Sequence, residues 1–272
     1  MKFGVPVTSR LVHTVFFEPD GPGRYRATIA TAGPWSAQAQ HGGPPSALAA
    51  RELERHEPDE GMRLARVAVD ILRPIPVDVL TARTRTLRPG RRVALLETVL
   101  EARGQEVLYA RGWRIGTSAG LPVIGRDDSI PEVPPKPMKP AFPGGFTDGY
   151  LTAIDWRFAA GGFDQTGPSL AWGRPRIPLL PGEELSPMCR TLLIADSGNG
   201  VGAVVDPREF QFLNVDLTVV LQRDPEGEWI LLEPATTMGG QGTGLAQTAI
   251  FDRGGYVGTG MQTLLVSRVV AG

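Results

Sequence analysis

The chain has 272 residues, a formal net charge of −1, 21% charged and 42% hydrophobic residues, the balance of a soluble globular protein of one or two domains. Lys and Arg form no run, so the clustered positive charge that phosphate backbones require is missing and no nucleic-acid partner is expected. Glycine and proline, 34 and 25 residues, exceed their ordinary ~12% share of a chain, which points to many short turns and a β-rich fold.

The opening MKFGVPVTSR has no apolar core followed by a cleavage site, so it is not read as a signal peptide. No stretch nears the ~20 apolar residues of a membrane span. Cys189 is the single cysteine, so no intrachain disulfide is possible. A cytoplasmic protein without membrane contact is expected.

In chain order, residues 13–30 read as a hairpin turning at Asp20-Gly21-Pro22-Gly23. QAQHGGPPSALAARELERHEP follows, holding His41, one of three histidines. It predicts a helix near 44–56, with Pro44 and Pro45 in its first positions and Ser46 as cap. No charge precedes Arg51, so the first turns should be buried all round. RLARVAVDILRP, VLTARTRTL, RRVALLETVLEA and EVLYARGWRI then read as four strands separated by turn-like segments. Residues 117–145 are proline-rich and read as a linker.

The pattern then repeats. GYLTAIDWRFAAGG and PSLAWGRPRI read as strands, SPMCRTLLIADSG as a helix near 186–197, and FQFLNVDLTVVLQR, EWILLEPATTM, GLAQTAIFD and YVGTGMQTLLVS as four more strands. VAVD at 67–70 echoes LNVD at 213–216, and GQEVLYARGW from Gly104 echoes GGYVGTGMQT from Gly254, at offsets of 146 and 150 residues. A repeat of this length implies two copies of one supersecondary unit. The expected fold is α+β: a double hotdog of two tandem units, 1–118 and 146–272, each with a long helix wrapped by a curved antiparallel sheet, joined by a linker at 119–145.

The chain resembles the type II acyl-CoA thioesterases. The likeness covers nearly its whole length and rests on HGGPPSALAARELE and VDILRP in the first half and ADSGNG, FLNVDLTVVLQR, EWILLEPATT and GMQTLLV in the second. It implies a double hotdog that holds and activates water with an aspartate, a threonine and a glutamine. By position these are Asp216, Thr237 (or its neighbour Thr236) and Gln262. The resemblance implies an acyl-CoA thioester as substrate, and a homo-oligomer is expected because curved sheets leave edges to cover.

The residues themselves exclude other chemistry. Three histidines and one cysteine, at 13, 41, 56 and 189, show no metal-ligand spacing, so neither metal nor cofactor is expected. No G-x-S-x-G elbow is present. GGQGTG at 239–244 lies between strands and reads as a turn. A thioester is electrophilic and its thiolate leaves well, so a general base acting on water can suffice without a covalent nucleophile. Asp216, mid-strand among apolar residues, is the expected base, with Thr237 and Gln262 orienting the water. Asp70, its echo, has no glutamine partner and reads as structural. His41, Gly42 and Gly43 are expected to bind substrate, chiefly through backbone amides at a helix N-terminus, with the glycines allowing close approach. A hotdog dehydratase would need a paired His and acid in one segment, and none follows His41. Two classes fit: a thioesterase, and a non-catalytic acyl-CoA-binding hotdog that has lost hydrolysis.

Overall fold

A computed structural model of the protein describes residues 13–125, 129–138, 142–143 and 145–269. The opening MKFGVPVTSR and parts of the proline-rich segment lie outside those residues. The first half contains β1 (Phe17–Pro19), β2 (Arg24–Ala27), α1 (Gly43–Arg55), β3 (Met62–Ile71), β4 (Val79–Arg88), β5 (Val93–Ala102) and β6 (Gln105–Gly116). A one-turn helix α2 (Tyr150–Ala153) opens the second half. It is followed by β7 (Ile154–Ala160), β8 (Leu170–Pro175), α3 (Pro187–Ala195), a one-turn α4 (Gly198–Val201), β9 (Phe210–Asn214), β10 (Asp216–Leu221), β11 (Ile230–Met238), β12 (Thr243–Asp252) and β13 (Gly255–Arg268).

The strands form one antiparallel sheet in the order β1-β2-β4-β5-β6-β3-β10-β13-β12-β11-β8-β7, with β9 paired to β13. The fold class is α+β. The halves meet where β3 pairs with β10, Asp70 lying opposite Asp216. Period-two burial fixes which face is inside. Leu217, Val219 and Leu221 of β10, and Gln262 and Leu264 of β13, point into the core, while Val220, Met261 and Thr263 point out.

Helices α1 and α3 pack against each other under this inner face. Pro44 and Pro45 suit the first turn of α1, where an N–H would lack an intrahelical partner. The small residues that follow let the helices approach closely. A Cβ on Gly43 would lie 2.5 Å from the Leu193 carbonyl oxygen, and the Cys189 thiol of α3 donates to Ala47 O at 3.3 Å. Leu48, Leu53, Leu192 and Leu193 are fully buried there, each burial contributing about 1.5–3 kcal/mol.

Four expectations change. Ser46 is not the cap of α1: Gly42 is, and Ser46 Oγ donates back to Gly42 O at 2.6 Å from inside the helix. Residues 150–153, read as the start of a strand, form a helical turn. The predicted strand 210–223 is interrupted at Val215, whose N–H bonds Thr263 O and whose carbonyl accepts from Ile71 N. Finally, α3 ends at Ala195, and Asp196 is its C-cap.

Candidate active site

The antiparallel helices bring the start of α1 to the end of α3. There Asp196, 2% exposed, holds its carboxylate between two elements. Oδ1 accepts from Asn214 Nδ2 at 2.9 Å, and Oδ2 lies 2.9 Å from His41 Nδ1. A carboxylate at a helix C-terminus faces the negative end of the helix dipole, and burial penalises it further unless it is paired. These two contacts, with the tip of α1 beside them, make the position tolerable.

Gly42 makes the approach possible: a Cβ there would stand 2.7 and 2.9 Å from the Asp196 carboxylate oxygens. Because proline carries no N–H, the amides at this tip are those of Gly42 and Gly43, and Gly43 N donates to His41 Nδ1 at 3.1 Å. The Gly43 bond needs a lone pair on Nδ1, whereas a bond to Asp196 needs a hydrogen there, so Nδ1 makes only one of the two bonds at a time. The imidazole stacks on Tyr150 at 3.7 Å and 11°. The Tyr150 hydroxyl is fixed against Leu193 O at 2.6 Å and Ser197 Oγ at 2.9 Å. Burial pushes that phenol well above its usual range, so it stays neutral.

Gln262, 1% exposed, braces the same corner. Its Nε2 donates to Asp196 O at 3.0 Å and its Oε1 accepts from Asn199 N at 3.0 Å. The amide thus ties the end of α3 to the start of α4 and sets where the Asp196 side chain begins.

A cavity of about 410 Å³ opens beside these groups, a size ordinary for a small-molecule site. His41, Gly42, Asp196, Ser197, Asn199 and Asn214 line its polar side. Trp35, Ile75, Phe142, Leu151, Phe163 and Phe212 line an apolar side. Trp35 meets Phe142 and Phe212 edge-to-face at 5.1 and 5.2 Å. The arrangement pairs a buried carboxylate and a helix tip with a greasy chamber, and can place a polar reacting group beside an apolar tail.

The expected trio does not converge. Gln262 is in this site, but Asp216 and Thr237 point to the outer face. Asp216 alternates with the inward Leu217, and its carboxylate accepts from Thr263 N at 2.6 Å and meets Thr263 Oγ1 at 3.0 Å. Thr237 is exposed and pairs with Leu245. Thr236 faces inward in the row of Ala246 and Gln262, with its Oγ1 buried and unpartnered, yet it does not line the cavity. Of the residues expected to bind substrate, His41 and Gly42 line the cavity. Gly43 does not, because the space a side chain would take is filled by the Leu193 carbonyl. Asp196 and Asn214 were missed. The available signal was a single acid ending an apolar helix, where the dipole opposes it. Among the described residues no group of three or more His, Cys, Asp and Glu has the arrangement of a metal site.

Comparison with known proteins matches the acyl-CoA thioesterase N-terminal domain over residues 31–115 and the acyl-CoA thioesterase C-terminal domain over residues 128–266. No curated protein matches the chain in sequence. Among solved structures, one assigned as a thioesterase II from Thermobifida fusca superposes with a TM-score of 0.72 at 19% identity, over 97% of this chain and 99% of that one. A hotdog-fold protein of unknown function from Alicyclobacillus acidocaldarius gives 0.72 at 15% identity, over 93% and 96%. The acyl-CoA thioesterase II TesB2 of Mycobacterium marinum gives 0.64 at 18%, over 94% and 96%. At these identities the likeness shows a shared fold, the hotdog.

Proposed function

The chain belongs to the acyl-CoA thioesterase family and is a thioester hydrolase, and on that premise we propose that it cleaves acyl-CoA with water activated by Asp196. The observation that carries this reading is the buried Asp196 carboxylate between His41, Asn214 and the tip of α1, on the wall of an apolar cavity. Asp196 takes a proton as the water oxygen bonds to the thioester carbonyl carbon. The Gly42 N–H, at the positive end of α1, donates to the oxyanion that forms. The intermediate then collapses, the C–S bond breaks, and the proton on Asp196 passes to the departing sulfur. The products are a free acid and the CoA thiol. Asn214 and His41 orient the carboxylate, and Gln262 fixes the backbone that bears it. The acyl group occupies the chamber of Trp35, Phe142 and Phe212.

This proposal moves the base from Asp216 to Asp196 and replaces Thr237 by Asn214. We read the sheet as two tandem hotdog units, 1–118 and 146–272, with residues 119–145 as the connection, and the protein as a cytoplasmic homo-oligomer. Among the described residues no helix is long and apolar enough to cross a membrane. The alternative, a hotdog that binds acyl-CoA without hydrolysing it, is not favoured.

Steady-state hydrolysis of a panel of acyl-CoAs tests the assignment. Asp196→Asn should lower kcat by about two to four orders of magnitude. Asp216→Asn, on the outer face, should stay within a few-fold of the parent. Equal loss in both, with both folded, would return the base to Asp216.

A further inference from the structure

The apolar chamber and Asp196 account for the acyl group and the thioester, but a CoA thioester also carries a long pantetheine arm and several phosphate charges. Where the cavity reaches solvent its wall changes character. Leu72, Val215 and Leu265 line it there and are 42%, 45% and 54% exposed. Large apolar side chains so exposed and contiguous with a cavity mark a surface that binds something. Beside them stands Arg73, exposed, and the only arginine or lysine among the described lining residues.

The surroundings of Arg73 differ from those of the arginines held in ion pairs. Arg85 and Arg111 share Glu97, Arg157 and Arg174 share Asp155, and Arg223 is held by Asp252. Arg73 instead donates from Nη1 to the neutral Gln105 Oε1 at 2.6 Å, and no carboxylate of the described residues pairs with it. The bond to Gln105 holds the guanidinium at the rim without neutralising it. Its other donors have the fork geometry that matches a phosphate.

We infer that the Leu72–Val215–Leu265 rim carries the pantetheine arm and that Arg73 pairs with a phosphate of the carrier, so that this residue sets the preference for a phosphorylated carrier. The inference rests on the thioesterase reading and concerns how the head group is held, to which that reading assigns no residue. The contact is exposed, so its contribution is modest and sensitive to salt.

The test compares one acyl group, the best of the acyl-CoA panel, on three carriers: CoA, 4′-phosphopantetheine and pantetheine. The readout is the ratio of kcat/KM for each phosphorylated carrier to that for pantetheine. In Arg73→Ala the ratio for CoA should fall about five- to tenfold, through KM, and Arg73→Lys should recover most of it. Raising ionic strength should lower the ratio in the parent and hardly alter it in Arg73→Ala. A fall confined to CoA supports a contact to its outer phosphates, and a fall shared by phosphopantetheine supports a contact to the 4′-phosphate. An unchanged ratio, an equal loss on all three carriers, or a lysine variant no better than alanine would overturn the inference while leaving hydrolysis at Asp196 intact. A parent that hydrolyses none of the three would instead overturn the thioesterase reading itself.

Discussion

The α1–α3 pair has two ends built from similar parts: the first turn of one helix, the last turn of the other, an acid, and a polar side chain from the final strand of one half. At the α1 start the acid is Asp196 and the strand residue is Gln262 of β13. At the α3 start the acid is Glu54 and the strand residue is Arg114 of β6. In that second corner the polar groups satisfy one another. Ser186 Oγ donates to Glu54 Oε1 at 2.9 Å and caps α3 by accepting from Cys189 N at 3.1 Å. The Cys189 thiol points at Glu54 Oε2. Arg114 donates to the carbonyls of Leu53, Glu54, His56 and Glu57, closing the end of α1. In the first corner the N-cap is a glycine with no side chain to cap the amides, and the carboxylate borders the apolar chamber of about 410 Å³, whereas Glu54 borders a smaller recess of about 280 Å³. The same helix geometry therefore serves as a structural knot where side chains occupy the helix tip and as a candidate active site where they do not.

The strongest way to break this contrast is at Arg114. Arg114→Ala leaves buried carbonyls at the end of α1 without a donor and should cost about 3 kcal/mol. Thermal unfolding should drop by roughly 6–12 °C, while hydrolysis per folded molecule holds. A loss of kcat without a loss of Tm would put Arg114 in the chemistry and erase the distinction. Next in size is Gln262→Ala, which frees the Asp196 carbonyl and the Asn199 amide. It should lower kcat about ten- to a hundredfold, with KM little changed, because it moves the base and not the acyl chamber. A rise in KM alone would place Gln262 in binding.

The smallest effect is a pH dependence at the closed corner. Burial raises the Glu54 carboxyl above its usual range, outweighing the bonds from Ser186 and Cys189. A group whose folded pKa is raised contributes stability below its unfolded pKa and loses that contribution as pH rises through the folded value. Stability should therefore decline from the ordinary carboxylate range upward, and Glu54→Gln should narrow the Tm difference between acidic and neutral pH. An equally steep decline in the variant would show that Glu54 is not its source.

Much of the fold was legible in the sequence because it depends on local pattern. The apolar run behind Pro44 and Pro45 marked α1, and strand-like runs between turn-like segments marked β3–β6 and β11–β13. The site was legible only in part. His41 and Gly42 announce themselves by chain chemistry, and Gln262 by its polarity in an apolar strand. Asp216 has the same signature as Gln262, but a strand's period of two puts it on the other face, and the break at Val215 hides that parity from a sequence count. Asp196 and Asn214 meet only because β9 folds onto β13 beside the end of α3, a tertiary fact with no local signal beyond one acid at the wrong end of a helix dipole.

The proposed chemistry puts the reacting group at the open corner and not at the closed one. A crystal structure with a non-hydrolysable acyl-CoA thioether tests this directly. The acyl tail should lie among Trp35, Phe142 and Phe212, and the thioether at the tip of α1 within reach of Asp196. A thioether lodged beside Glu54 and Arg114, or on the outer face at Asp216, would contradict it.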